Sequence, residues 1–435
     1  MPSSLVFRLG NEQQLKAPPR TDPSPVLAIS SRAVGSARKR RCGLGSAADE
    51  GLSAVATAPS AQAESTPFRF YDNRQKYLAF VNTCNEKAVI GARCARELAQ
   101  LQPTPPALHH FDAGMGDGTV LSRLLRTVHH HFPTVPALAV AKEISLEDVR
   151  LGLEKMPDRF VEHPHTVLVV TNLSYADSPR LLPGDPQKAA ALNWREVPLD
   201  GASAHDLGEQ IEALGPMLAS GWATSASPTT GNPVPQQPSV LVLYRRDHEF
   251  LLHDVIAELR QHQMSYDFIL ASQPWRARIG AAFKVDKILA PLTRSLAPGG
   301  RLLTVQSWGR DPAAEIVDRL WPGEKPFTVD RHELIETLRT ALGSEAGEYD
   351  LTDPPDPDAV FRYEMHTLPS EIGDRIGTST LFAAWNAVVY VNQIEDERLE
   401  AALHDSRYLD VTQEVLRKYG TLWFNDESFV VRQRR

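Results

Sequence analysis

Apolar residues change their spacing along this chain, and each change marks an element. After Glu86, the residues Ile90, Cys94, Leu98 and Leu101 fall at i, i+4, i+8 and i+11, the stripe of an amphipathic helix that Pro103, Pro105 and Pro106 end. From His109 a short apolar run leads into Phe111-Asp112, then a glycine-rich loop, then a helix with Val120, Leu121, Leu124, Leu125 and Val128 on one face. Residues 136–141 (PALAVA) predict a second buried strand, 146–156 a helix and 166–170 a third strand. Further strands are expected at 240–244, at 267–271 (DFILA) and, after the turn Pro298-Gly299-Gly300, at 301–305 (RLLTV). Apolar strands alternating with helices predict an α/β fold with a doubly wound, mainly parallel sheet, preceded by an N-terminal helical cap.

Composition adds the boundaries. In residues 1–65, 32 positions are Ala, Ser, Pro or Gly and Phe7 is the only aromatic residue, so this segment cannot bury enough apolar surface to offset its ordering entropy. It is expected to be a disordered tail, with order starting near Phe68-Arg69-Phe70-Tyr71 and a folded domain over 66–435. Between the third strand and residue 240 lies a long detour whose stretch 213–238 holds no charged residue and many Ser, Thr, Gly and Pro. Residues from about 178 to 238 therefore read as a flexible surface insertion and not as a second domain. No apolar run reaches the roughly 18 residues of a membrane span, and Val26-Leu27-Ala28-Ile29 falls short of the ~7–15 of a secretory signal, so a cytoplasmic protein is expected.

The tail holds eight Lys/Arg against five Asp/Glu, including Arg38-Lys39-Arg40-Arg41, which leaves 38 against 49 in the rest. An acidic body disfavours nucleic acid, whose binding rests on neutralised phosphates. None of the three cysteines, Cys42, Cys84 and Cys94, stands in a C-x-x-C pair, so neither a disulfide framework nor a structural zinc site is suggested.

Between the first strand and its helix stands Phe111-Asp112-Ala113-Gly114-Met115-Gly116-Asp117-Gly118-Thr119, a D-x-G-x-G-x-G loop. Gly114, Gly116 and Gly118 let the backbone turn tightly and approach a ligand, and the helix start offers free N–H groups. A dinucleotide site would use G-x-G-x-x-G. Here the third glycine comes one residue early, and Asp112 would repel a pyrophosphate and welcome an ammonium group. The loop therefore points to a ligand with a positive amine. It resembles the first motif of class I S-adenosylmethionine-dependent methyltransferases. That resemblance implies their Rossmann-like fold and S-adenosylmethionine as cofactor, with its aminocarboxypropyl end in the loop and its ribose hydroxyls on an acidic residue ending the second strand. Glu143 stands at that position, and a carboxylate can accept from both hydroxyls. The plainer alternative is an ordinary strand-to-helix turn with Glu143 as a solvated helix cap. Asn172, closing the third strand, is placed either to bond the adenine amino group or to form a turn.

The strand at 267–271 leads into Ser272-Gln273-Pro274-Trp275, at the carboxyl edge where such sheets bind ligands. This run resembles the N-P-P-Y type motif of methyltransferases acting on planar amino groups, without its second proline. Gln273 is assigned to the cofactor, the alternative being a polar loop closed by a packed tryptophan. A further resemblance, to the histamine N-methyltransferase family, lies in Phe80-Val81-Asn82 with Glu86, Lys142-Glu143-Ile144-Ser145, Asp267-Phe268-Ile269 with Gln273, and the run at 420–429 (GTLWFNDESF). It implies that Glu86 and an asparagine near the C-terminal strand hold an amine substrate. Asn425 or Asp426, whichever faces inward, thus joins Glu86 as a catalytic candidate, and a spacing one residue shorter than the family's leaves the choice open. Glu86 is equally well placed as a helix-start residue favoured by the dipole.

Tyr71, Tyr77 and Phe80 can form an aromatic lid over a cation or pack in the core. His109-His110 and His129-His130-His131 are expected to be solvated or at helix ends, since adjacent histidines point apart and no acidic cluster accompanies them; no metal is expected. The expected function is in-line methyl transfer to a small-molecule acceptor, with an amine as the first candidate. The alternatives are a protein or RNA methyltransferase, a non-catalytic cofactor-binding protein on the same fold, and a polyamine aminopropyltransferase. The last would want acidic residues where Ser272 and Gln273 stand.

Overall fold

Each long apolar run becomes a strand buried on both faces. The computed structural model describes residues 73–228, 231–262 and 264–435; the expected tail at 1–65 and the aromatic start at 68–71 lie outside them. β1 (Leu108–Asp112), β2 (Ala137–Lys142) and β3 (Thr166–Thr171) come first, and β4 (Asn193–Leu199) arises in the detour. A separate ribbon of β5 (Thr224–Ala226) and β6 (Pro233–Pro235) precedes β7 (Ser239–Arg245), β8 (Tyr266–Ser272) and β9 (Leu296–Ser307). β10 (Tyr349–Asp350), β11 (Val360–Glu364) and β12 (Trp423–Gln433) follow. The sheet order is β10-β12-β9-β8-β1-β2-β3-β7-β4, with β11 also on β12. The central strands β9-β8-β1-β2-β3 are parallel, and β12 and β7 run antiparallel beside them.

Alternation along the strands sorts the side chains into two layers. Leu138, Val140, Val167 and Val169 face a core shared with Leu252, Val255, Ile256 and Leu259 of the helix Glu249–Gln261. Ala139, Ala141, Leu168 and Val170 face the opposite core. Full burial of each large aliphatic side chain contributes roughly 1.5–3 kcal/mol, which is why these runs lack polar interruptions. Of the N-terminal helices, α1 (Arg74–Thr83) puts Phe80 into a separate cluster with the helices Thr378–Val391 and Arg407–Tyr419, whereas α2 (Glu86–Leu98) lies on the sheet. Ile90, Cys94, Leu98 and Leu101 of the predicted stripe pack there with Leu108, Leu124 and Phe268. The helix after the glycine loop, α3 (Thr119–His131), buries all five residues of its predicted face. α4 (Leu146–Leu153) is shorter than expected, because Pro157 opens a helix of its own.

The expected insertion at 178–238 is corrected by the structure. β4 pairs with β7 in parallel and extends the main sheet, and Leu199, Leu207, Ile211, Leu218 and Trp222 fill the core beside α4. Within 213–238 Leu218, Gly221 and Trp222 are buried, while the described residues from 223 onward are exposed or half-buried. Strand order reverses between β1 and β8, so the crevice outside their carboxyl ends, at Asp112 and Ser272, is the place for a ligand. Among the described residues no helix is long and apolar enough to cross a membrane.

Candidate active site

Past β1 the chain turns where only glycine fits. Gly116 has φ +52°, and a Cβ there would stand 2.6 Å from Tyr77 Oη; Gly118 has φ +75°, and its Cβ would stand 2.5 Å from the Cα of Gly152 in α4. Gly114, Gly116 and Glu143 line a cleft of about 240 Å³ at the switch point. Gly118, Asp112 and Asp426 do not line this cleft, and Gly118 forms the contact between loop and α4. Glu143 Oε2 accepts the Gly116 N–H at 2.9 Å, and Oε1 accepts those of Ile144 and Ser145 at 2.8 and 2.9 Å. A lone pair on Oε2 is left for a ligand hydroxyl. Trp222 Nε1 donates to the Glu143 carbonyl at 2.8 Å, so the detour itself anchors this residue.

Asp112 is buried, with Oδ1 accepting the Gly114 N–H at 3.2 Å and Oδ2 without a hydrogen-bond partner. Burial, and secondarily the charge of Glu143, push its carboxyl up to about 6, against the opposing pull of the Gly114 N–H and Lys87. A ligand ammonium beside Oδ2 would relieve both the missing partner and the desolvation. The orphan oxygen, the glycine cradle and the open lone pair of Glu143 together fit the amino acid and ribose ends of S-adenosylmethionine.

On the other side three side chains from distant segments meet. Gln273 Nε2 donates to Glu86 Oε1 at 3.2 Å and to Asp426 Oδ2 at 3.3 Å, and its Oε1 accepts from Ser307 Oγ at 3.3 Å. Gln273 takes φ +48°, a left-handed conformation costly for a non-glycine residue, which aims this amide between the two carboxyl groups. Glu86 is the first residue of α2 yet is buried, and its Oε2 pairs with Lys87 Nζ at 2.9 Å. Burial pulls the Lys87 ammonium down, but the Glu86 charge and hydrogen bond, with Tyr390 and Asp117, together outweigh it and the net displacement is upward. Asp426 is fully enclosed; burial, then the Glu86 charge, hold its carboxyl well above the usual range, although Gln273, Lys87 and Ser307 act the other way. Enclosure thus biases Asp426 toward its protonated form, while Glu86 is paired with Lys87. Tyr77, Phe80 and Tyr390 wall this side, with Tyr390 centred 5.8 Å from Tyr77 and 5.2 Å from Phe80.

Several expectations are corrected by these contacts. Asn172 cannot reach for an adenine: its Nδ2 donates to the Gly221 and Gln237 carbonyls, both at 3.0 Å, and its Oδ1 accepts the Ser239 N–H at 2.8 Å, pinning the detour to β7. Gln273 lines the cleft but donates its amide N–H groups to Glu86 and Asp426 rather than leaving them for a cofactor. Of the C-terminal pair, Asp426 faces inward, while Asn425 Nδ2 donates to the Gly309 and Arg310 carbonyls at 3.2 Å. His109 and His110 lie buried in β1 instead of at a helix end, and burial pushes the His110 imidazole down to about 3. Tyr71 lies outside the described residues. Among those residues no group of three or more His, Cys, Asp or Glu side chains is arranged for a metal ion. Lys87 and Tyr390 were not anticipated; the first had only its place beside Glu86 as a signal, and the second comes from a helix some 300 residues on.

No protein-family model matches the chain, and no curated protein sequence matches it. Solved structures that match include StiE O-MT, 10% identical with a TM-score of 0.29, covering 79% of this chain and 74% of that one. A geranyl diphosphate methyltransferase in complex with GPP and sinefungin is 12% identical with a TM-score of 0.29, covering 79% and 78%. A phosphoethanolamine N-methyltransferase 2 from Haemonchus contortus, in complex with phosphomonomethylethanolamine and S-adenosylhomocysteine, is 10% identical with a TM-score of 0.25, covering 79% and 52%.

Proposed function

We propose that the chain is an S-adenosylmethionine-dependent methyltransferase that acts on a nitrogen of a small amine. The observation that carries this reading is the meeting, at one switch-point cleft, of the Gly116 cradle with Glu143 and of Glu86 with Gln273, whose amide also reaches the buried Asp426 behind it. The first half suits an amino acid and a diol, the second a nitrogen nucleophile and its proton. When bound, S-adenosylmethionine supplies a methyl group on a sulfonium whose sulfur departs as a neutral thioether.

The work of the chain is then alignment, exclusion of water and handling of one proton. Glu86 orients the acceptor through an N–H and is itself held by Gln273 and Lys87. Tyr77, Phe80 and Tyr390 keep the nitrogen in a dry, aromatic-walled space. The proton shed by the methylated nitrogen passes to Glu86 directly or through water. Incubation with methyl-labelled cofactor and a cell extract, separated into small-molecule, protein and RNA fractions, tests the reading. Label is expected in the small-molecule fraction; label confined to protein or RNA removes the small-amine acceptor, and failure of folded protein to bind the cofactor removes the methyltransferase.

A further inference from the structure

The nitrogen that attacks a methyl group must carry a free lone pair, whereas small aliphatic amines near neutral pH are ammonium ions. A lone buried carboxylate at the acceptor site would worsen this mismatch, because an opposite charge close by favours the charged form of the amine. In this cleft Glu86 is not alone. Lys87 Nζ sits 2.9 Å from its Oε2 and 5.5 Å from the centroid of the Tyr77 ring, and both residues line the same wall as Gln273. The carboxylate is thus matched by a cation of the chain before any ligand arrives.

We propose that Lys87 is a positioning residue that makes the site accept its amine as the neutral base, by holding the Glu86 charge which would otherwise keep the amine protonated. This rests on the small-amine reading above and says how that site selects a protonation state. The ammonium ion in solution loses its proton to buffer on entry. Its lone pair then forms the N–C bond as the methyl C–S bond breaks and the sulfur keeps that electron pair, and the resulting ammonium product releases one N–H proton. The groups facing the Lys87–Glu86 pair support the balance. Tyr77 on α1 and Tyr390 on the helix Thr378–Val391 stay neutral, since burial raises both phenols well above their ordinary range. Asp426 on β12 is biased toward its neutral form by burial and by the Glu86 charge. Asp117 in the glycine loop has its own partner, Lys155 Nζ at 3.4 Å, Asp148 on α4 faces Arg74 Nε at 3.8 Å, and Cys84 ahead of α2 is a buried thiol held up to about 12. The remaining acids, Glu143 and Asp112, lie at the glycine loop, Glu143 accepting three backbone N–H groups and Asp112 buried with Oδ2 lacking a hydrogen-bond partner.

The test is calorimetric. Benzylamine, whose ring suits the aromatic wall, is titrated into protein loaded with S-adenosylhomocysteine near neutral pH, in two buffers of different ionisation enthalpy, so that the protons released per amine are counted. Wild type is expected to release close to one, Lys87→Met close to none, and Lys87→Arg close to one, because arginine restores the charge. Wild-type binding without proton release overturns the role of Lys87, and needs no variant to fold. Equal release by wild type and Lys87→Met overturns it as well. Absence of benzylamine binding to wild type that does bind S-adenosylhomocysteine overturns the small-amine reading itself.

Discussion

At the glycine-loop end of the cleft the polar groups are largely main chain, and at the Glu86 end, the proposed acceptor half, they are side chains. The loop after β1 and the turn after β2 present N–H groups to Glu143 and Asp112, at positions set by glycine conformation and by the ends of two adjacent strands. Glu86, Gln273 and Asp426 come from α2, the end of β8 and β12, and are held by one another and by Lys87 and Ser307. The first half is thus governed by sterics and backbone direction, the second by charge balance. Substitutions should fail differently in the two.

Gly118→Ala should produce the largest effect. It puts a Cβ into a left-handed residue and against the Gly152 backbone, and together these should cost about 3 kcal/mol of stability, measured by urea unfolding. A loss below about 1 kcal/mol would show that the loop and α4 can part. Gly116→Val faces the left-handed penalty and the displacement of Tyr77 Oη, so affinity for S-adenosylmethionine should fall by roughly thirtyfold to a hundredfold, equivalent to about 2–3 kcal/mol. Unchanged binding by calorimetry would detach the glycine loop from the cofactor.

The same half should respond to pH through Asp112. Its carboxyl is raised to about 6, so the ionised form that would pair with an ammonium is present above that value and is lost as pH falls through it. Cofactor affinity at about pH 5 should be roughly tenfold below that at about pH 7, and Asp112→Asn should be weak and flat over the same window. An affinity that rises on acidification would contradict the assignment.

On the acceptor half, Glu86→Gln should leave cofactor affinity within about twofold and lower kcat/KM for the acceptor roughly tenfold, near 1.4 kcal/mol. If Glu86 served only the start of α2, the variant would lose a little stability and keep its turnover. The smallest effect belongs to Asn425→Ala, which removes two backbone contacts outside the cleft. About 1 kcal/mol of stability should go, with kcat/KM within about twofold, and a larger loss of turnover would return Asn425 to the site.

Much of this molecule was legible along the chain because it depends on neighbours in sequence. The apolar runs at 136–141, 166–170, 240–244, 267–271 and 301–305 became strands, since burial on both faces demands unbroken apolar segments. The stripe of α2 and the face of α3 followed from helical period. Glu143 and the Gly116 turn were readable for the same reason, being local to one strand end and one turn. Tertiary structure decided the rest. That the detour adds β4 to the sheet depends on pairing with β7, which its mixed polar sequence does not announce. Which of Asn425 and Asp426 meets Gln273 is a matter of register: adjacent strand residues point to opposite faces, and the pairing of Asp426 with Ser307 on β9 turns the aspartate toward Gln273. The upward shift of the Asp426 carboxyl and the pairing of Lys87 with Glu86 exist only because folding removes these groups from water at hydrogen-bond distance, and a chain read in order contains neither the distance nor the lost solvent.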